Sequence, residues 1–135
     1  ISALYHIASR FGVDLTALLT GTAAKLDTYQ VVRKGDGRKV DRYPGYYFQD
    51  LAWLYTQKIM QPLLVTLDPT GEPAELVTHT GQEFNLVVEG SMAVAFDDKE
   101  LMLEEGDSIY FNPRHPHGQR CVGDKPAKFV TIIAE

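Results

Sequence analysis

His79-Thr-Gly-Gln-Glu83-Phe-Asn-Leu-Val-Val-Glu-Gly90 and Gly106-Asp-Ser-Ile-Tyr-Phe-Asn-Pro-Arg-His-Pro-His117 bracket a stretch with a period of two. Apolar and polar residues alternate through Glu83–Leu86, ahead of the apolar run Leu86-Val87-Val88, and Ile109 and Phe111 alternate with Ser108 and Tyr110, a pattern that suits strands. Turn chemistry stands between the runs: Glu89-Gly90, Asp97-Asp98 and Gly106-Asp107. Parity then sorts the side chains. Val77 and His79 are two apart on one strand and share a face, and a turn over residues 80–82 brings Glu83 back beside His79. His117, reached after the Gly106-Asp107 turn, completes the set from a neighbouring strand. Two imidazoles and one carboxylate form a facial triad with open positions, suited to one divalent ion such as Zn, Fe, Mn or Ni. Alternatively, the same three groups hydrogen-bond a small organic ligand directly.

The same period extends outward. Strands are predicted at Thr28–Arg33, Arg38–Asp41, Tyr46–Gln49, Ala52–Tyr55, Met60–Leu67 and Glu75–His79. Others follow at Glu83–Glu89, Met92–Phe96, Leu101–Leu103, Ser108–Phe111, His117–Val122 and Phe129–Ile133. Many short strands with turns between them point to an antiparallel sandwich or barrel. No helical period interrupts them, which argues against a parallel α/β sheet.

Parity names further residues. Asn85 and Val87 share a face with Glu83, Ser108 and Asn112 alternate with Tyr110, and Gln119 and Cys121 follow His117. Asn85, Tyr110 and Gln119 are the expected ligand-orienting groups in a mostly apolar pocket, with Val77 in its wall. His115, between two prolines, is read as a loop residue. Tyr46, Tyr47, Trp53 and Tyr55 are read as core or interface residues. Cys121 is read as a small buried apolar group.

Composition bounds the rest. The 135 residues suffice for one domain and a short appendage, and 44% apolar residues supply a core. One cysteine excludes an internal disulfide and a cysteine-based zinc finger. No apolar run approaches the ~20 residues of a membrane-spanning helix, and no signal peptide is visible. A cytoplasmic location is the expectation. The net charge of −5 argues against broad nucleic-acid binding. It is uneven: residues 22–45 carry six basic and three acidic side chains, and residues 46–135 carry six basic and fourteen acidic.

The two quoted segments resemble the paired motifs of the cupin superfamily, a small antiparallel jelly-roll barrel, over roughly residues 60–134. His79 matches the second histidine of the first motif, Glu83 its Glu and Gly90 its Gly. Gly106, Asp107 and His117 match the second motif. The first motif's leading histidine is replaced by Val77, Asn112-Pro113-Arg114 stands where Pro-x-Gly is usual, and Cys121 stands where an Asn is usual. The resemblance implies a metal on His79, Glu83 and His117. Losing one of four ligands weakens such a site several-hundred-fold or more, on the scale of tenfold per ~1.4 kcal/mol.

Residues 1–21 have a helical period. Ser2 and Asp14 are read as helix caps, and Gly12 and Gly21 as stops. Leu4, Ile7, Ala8, Gly12, Val13, Leu18 and Leu19 resemble the last two helices of a phage-repressor-like (XRE) helix-turn-helix domain. The predicted organisation is a helix-turn-helix remnant over 1–21, a basic linker with the first strands over 22–45, and a cupin sensor domain over 46–135. The implied function is the ligand-sensing half of a bacterial transcriptional regulator, not an enzyme. Its partners would be a small-molecule effector, a second copy in a homodimer, and DNA through helices upstream of this sequence, with no membrane. The alternative is a metal-dependent cupin enzyme: a dioxygenase, isomerase or decarboxylase. A third reading is a binding module with no role on DNA.

Overall fold

The computed structural model describes residues 26–40 and 45–135. The helices predicted over 1–21 lie outside the described residues. By its internal contacts the chain divides into two units, residues 38–51 with 59–135 and the residues up to 37 with 52–58.

In the larger unit, nine strands run in chain order among the described residues: β1 Arg38–Val40, β2 Tyr46–Asp50, β3 Met60–Leu67, β4 Gln82–Glu89, β5 Ser91–Phe96, β6 Glu100–Leu103, β7 Ser108–Phe111, β8 His117–Val122 and β9 Ala127–Ala134. Six of them form one antiparallel sheet in the order β1-β2-β3-β9-β4-β7. Strands β6-β5-β8 form a second antiparallel sheet. The mainly β, antiparallel class predicted from the period, and the jelly roll that the resemblance implies, are the class observed.

Alternation decides which face each strand buries. Leu63, Val65 and Leu67 of β3, Val87 of β4 and Phe129 of β9 face inward from the larger sheet. Met92 and Val94 of β5 and Cys121 of β8 meet them from the smaller one, and together they form the buried apolar cluster. The inward positions of β4 carry Glu83 and Asn85 as well as Val87, so this strand delivers a polar site into an apolar interior. A full interior site of this kind requires hydrogen-bond partners for every polar atom.

Three predicted strands are not formed. Residues 28–33, in the smaller unit, follow a turn and pair with no described strand. Residues 52–54 are turn, closed by a Tyr55 N–H to Ala52 carbonyl bond of 3.2 Å, because an apolar run this short fits a turn as well as a strand. Within residues 75–79 the pairing is one isolated bridge, Val77 to His117. Pro69 and Pro73, nearby, cannot donate to a ladder.

Candidate metal centre

The chain entering β4 sets the first two donors. The His79 amide donates to the Pro113 carbonyl at 3.0 Å, which holds the segment against the turn before β8. Gly81 follows with φ +90°, a left-handed conformation that favours glycine. A Cβ there would lie 2.0 Å from the Ala134 carbonyl oxygen. The tight turn carries the chain from His79 to Glu83, the second residue of β4. His117 opens β8 in the other sheet. Its amide and carbonyl exchange bonds of 3.0 and 2.8 Å with Val77. Gly118 follows; a Cβ on it would approach the Glu75 carbonyl oxygen to 2.5 Å, so only glycine lets residues 74–75 lie against β8.

These elements bring His79, Glu83 and His117 together. One ligand atom from each lies within 4.8 Å of the others. His79 Nε2 is 2.8 Å and His117 Nε2 3.5 Å from Glu83 Oε1. The Glu83 and His117 side chains are buried, and that of His79 is about one quarter exposed. The imidazole centroids are 5.2 Å apart and nearly perpendicular, and Phe111 packs edge-on against His117 at 4.8 Å.

Each imidazole is oriented from its far side. His79 Nδ1 lies 3.0 Å from the Thr80 carbonyl, and His117 Nδ1 lies 2.8 Å from the His115 carbonyl. A carbonyl only accepts, so each Nδ1 carries a hydrogen. In the neutral ring, Nε2 is then a lone pair. Two such lone pairs and a carboxylate oxygen point at one another, an arrangement that repels itself unless a cation sits among them. The cation is either a proton or a metal ion. Backbone carbonyls that fix the tautomer of a histidine are the usual support of metal-ligating histidines. The donor set therefore fits a divalent metal.

Without a metal the same geometry perturbs the ionisations. Burial alone would raise the Glu83 carboxyl, but hydrogen bonds from His117, Asn85 and His79 outweigh it and hold it below its ordinary value. Burial would lower His117, but its bonds to Glu83 and to the His115 carbonyl win and raise it.

The other predicted residues divide. Val77 and Gln119 line a cavity of about 410 Å³ that also contains His79, Glu83 and His117. Leu63, Val65, Leu67 and Phe129 supply apolar wall. Asn85 is fully buried behind the carboxylate and donates to Glu83 Oε2 at 2.9 Å, so it supports the site and does not line the cavity. Tyr110 is corrected: it is 65% exposed, on the outer face of β7. Register explains this, since Tyr110 pairs with Phe84 and their rings pack at 6.5 Å, while Glu83 and Asn85 turn inward. Its hydroxyl bonds to Gln82.

Two residues at the site are not read as site residues from the sequence, which places Tyr46 in the core or an interface and does not single out Thr131. Thr131 on β9 bonds Asn85 and Glu83, and it shares the inward parity of Phe129. The Tyr46 hydroxyl bonds to the Gln119 carbonyl and accepts from its amide at 3.2 Å, tying β2 to β8 beside the cavity. Parity alone would have found Thr131; nothing local in the sequence reveals the Tyr46 contact.

The family pattern described as Cupin domain matches residues 63–133, just over half of the chain. An uncharacterized protein of Methanocaldococcus jannaschii is 29% identical over 73 residues, which is 53% of this chain and 58% of that protein. The chain thus spans less than two thirds of that relative. Hydroxypropylphosphonic acid epoxidase from S. wedmorenis superposes with a TM-score of 0.65 and 25% identity, over 98% of this chain and 74% of that one. An HTH_3 family transcriptional regulator from Vibrio cholerae superposes with a TM-score of 0.58 and 23% identity, over 98% of this chain and 70% of that one.

Proposed function

The chain belongs to the cupin domain family, and from that premise we propose that its barrel holds one divalent ion on His79, Glu83 and His117 beside a small guest molecule. The observation that carries this is the convergence of two lone-pair nitrogens and one carboxylate oxygen on a point in the wall of the cavity. A bound divalent ion would supply a Lewis-acidic centre with open positions for a donor atom of the guest. The chain's own residues do the rest. Leu63, Val65 and Phe129 offer the guest an apolar wall and exclude water. Gln119 spends its side-chain amide hydrogens on Glu83 and Asn85, which leaves its side-chain Oε1 as an acceptor for a guest N–H or O–H.

In the whole protein this barrel is read as the sensing half of a DNA-binding regulator that acts as a dimer. The helical pattern of residues 4–19, the basic stretch after it and the acidic barrel support that reading. Sensing requires the guest to bind one arrangement of the dimer better than the other. A metal-dependent enzyme is the second reading, favoured by the identity shared with the epoxidase along nearly the whole chain.

Elemental analysis and Zn(II) titration test the metal: about one ion per chain is expected, and affinity should fall at least ~100-fold in His117→Ala. A parent protein that binds no better than the variant overturns the metal reading. Gel shift of the full-length protein with duplex from its own promoter separates the two roles. Duplex binding that responds to metal or guest supports the regulator. Oxygen consumption by Fe(II)-loaded protein, without any duplex binding, moves the assignment to the enzyme.

A further inference from the structure

Glu83 offers two oxygens, and the structure treats them differently. Oε1 faces the two imidazoles. Oε2 turns the other way, into a buried polar cluster drawn from three strands. Asn85 Nδ2 donates to it at 2.9 Å, Gln119 Nε2 at 3.2 Å and the Thr131 hydroxyl at 3.3 Å. The donors are also locked to one another. The second Asn85 amide hydrogen goes to Thr131 Oγ1 at 2.9 Å, and the second Gln119 amide hydrogen goes to Asn85 Oδ1 at 2.9 Å. Every amide and hydroxyl hydrogen in the cluster has one acceptor, so each orientation follows from the others. Asn85, Thr131 and Gln119 are all at least nine-tenths buried, so water does not compete for these bonds.

We propose that Asn85, Gln119 and Thr131 are positioning residues that reserve Glu83 Oε2 and make Glu83 a one-oxygen ligand. This rests on the reading that the site holds a metal. Three hydrogen bonds hold Oε2 turned into the cluster and away from the imidazoles, and each donor removed weakens that hold. Oε1 alone remains, and it is the atom beside both imidazoles. The consequence is a coordination position left open. A two-oxygen carboxylate would occupy it, and with Val77 in place of a fourth ligand that position passes to the guest. The cluster also spans both sheets, since Asn85 and Thr131 stand on β4 and β9 of the larger sheet and Gln119 on β8 of the smaller.

Co(II) titration of the full chain, with visible absorption and X-ray absorption spectra, is the test. Gln119→Met and Thr131→Val remove donors at nearly constant volume. Co(II) affinity is expected to fall about 10- to 100-fold, the usual effect of losing a group that supports a metal ligand. The spectra should gain a two-oxygen carboxylate signature. Thr131→Ser, which keeps the hydroxyl, should restore the parent spectrum. Parent-like spectra and affinity in both Gln119→Met and Thr131→Val overturn the proposal while leaving the metal site standing, provided that His117→Ala still abolishes binding. Equal, weak binding by parent and His117→Ala overturns the metal reading and this proposal together. Should circular dichroism show that Gln119→Met does not fold, Thr131→Val decides alone by the same criteria.

Discussion

Val77 stands where the family pattern has a histidine, and its backbone makes the substitution informative. Val77 and His117 exchange both backbone bonds, so they form a directly opposed antiparallel pair. Opposed side chains lie on the same face, with Cβ atoms about 5.5 Å apart or less. An imidazole at 77 would therefore project beside that of His117, into the cavity both residues line. Val77→His is expected to tighten Zn(II) binding at least ~10-fold, about 1.4 kcal/mol; unchanged affinity in a competition titration would contradict the geometry. A second expectation concerns the metal-free protein. His117 is raised from 6.5, so its contribution to stability is full below that value and fades as pH rises through the folded value. Glu83 is lowered from 4.5, so its contribution is full above that value and fades as pH falls through the folded value. Urea unfolding in the presence of a chelator should then give greatest stability between pH 4.5 and 6.5, and Glu83→Gln should flatten both sides of the profile. At this scale it was the paired motifs that singled out His79, Glu83 and His117 in the sequence, and the structure brings the three side chains together. Reading Tyr110 as inward overlooks that the apolar residues of β7 are Ile109 and Phe111, which marks Ser108 and Tyr110 as the outer set. The pairing with β4 agrees, since Tyr110 stands opposite Phe84.

Among the elements, β8 is held closely on both counts that matter to the site. It supplies His117 and Gln119 to the cavity and is covered at Gly118 by residues 74–75. Gly118→Ala would force a methyl against the Glu75 carbonyl, which a bare glycine clears, and would push away the segment that carries Val77. The expected loss is about 1–3 kcal/mol, typical of overpacking, read as a lower urea midpoint with an unchanged slope. Weaker Zn(II) binding should accompany it, because the Val77 bridge helps to hold His117. A midpoint equal to that of the parent would show that the segment moves freely. Strands with long clean alternation were legible: Met60–Leu67, Ser108–Phe111 and His117–Val122 have the bounds expected from the period. Those at 28–33 and 52–55 were not, because period two records only that apolar residues alternate. A strand also needs an edge to pair with, and that is a property of the rest of the chain.

At the scale of the molecule, the proposed ion would join the two sheets. Glu83 belongs to β4 of the larger sheet and His117 to β8 of the smaller, with His79 just ahead of β4. The bond network already links them through Gln119, and a metal would add a stronger link at the same place. A ligand that binds the folded state alone stabilises it by about 2.7 kcal/mol at a hundredfold excess over Kd. For a domain of this size, at about 2–8 °C per kcal/mol, that corresponds to a rise in Tm of roughly 5–20 °C. Thermal unfolding should therefore shift upward with Zn(II) concentration and return to the metal-free value on adding chelator. The shift should vanish in His117→Ala and Glu83→Gln. Removing core away from the cavity acts differently: Met92→Ala empties part of the buried cluster and should cost about 2–5 kcal/mol in both the metal-free and metal-loaded protein, leaving the metal-dependent shift intact. Equal loss of the shift in Met92→Ala and His117→Ala would mean that the ion responds to general packing, and the link between sheets would then not be local to β4 and β8.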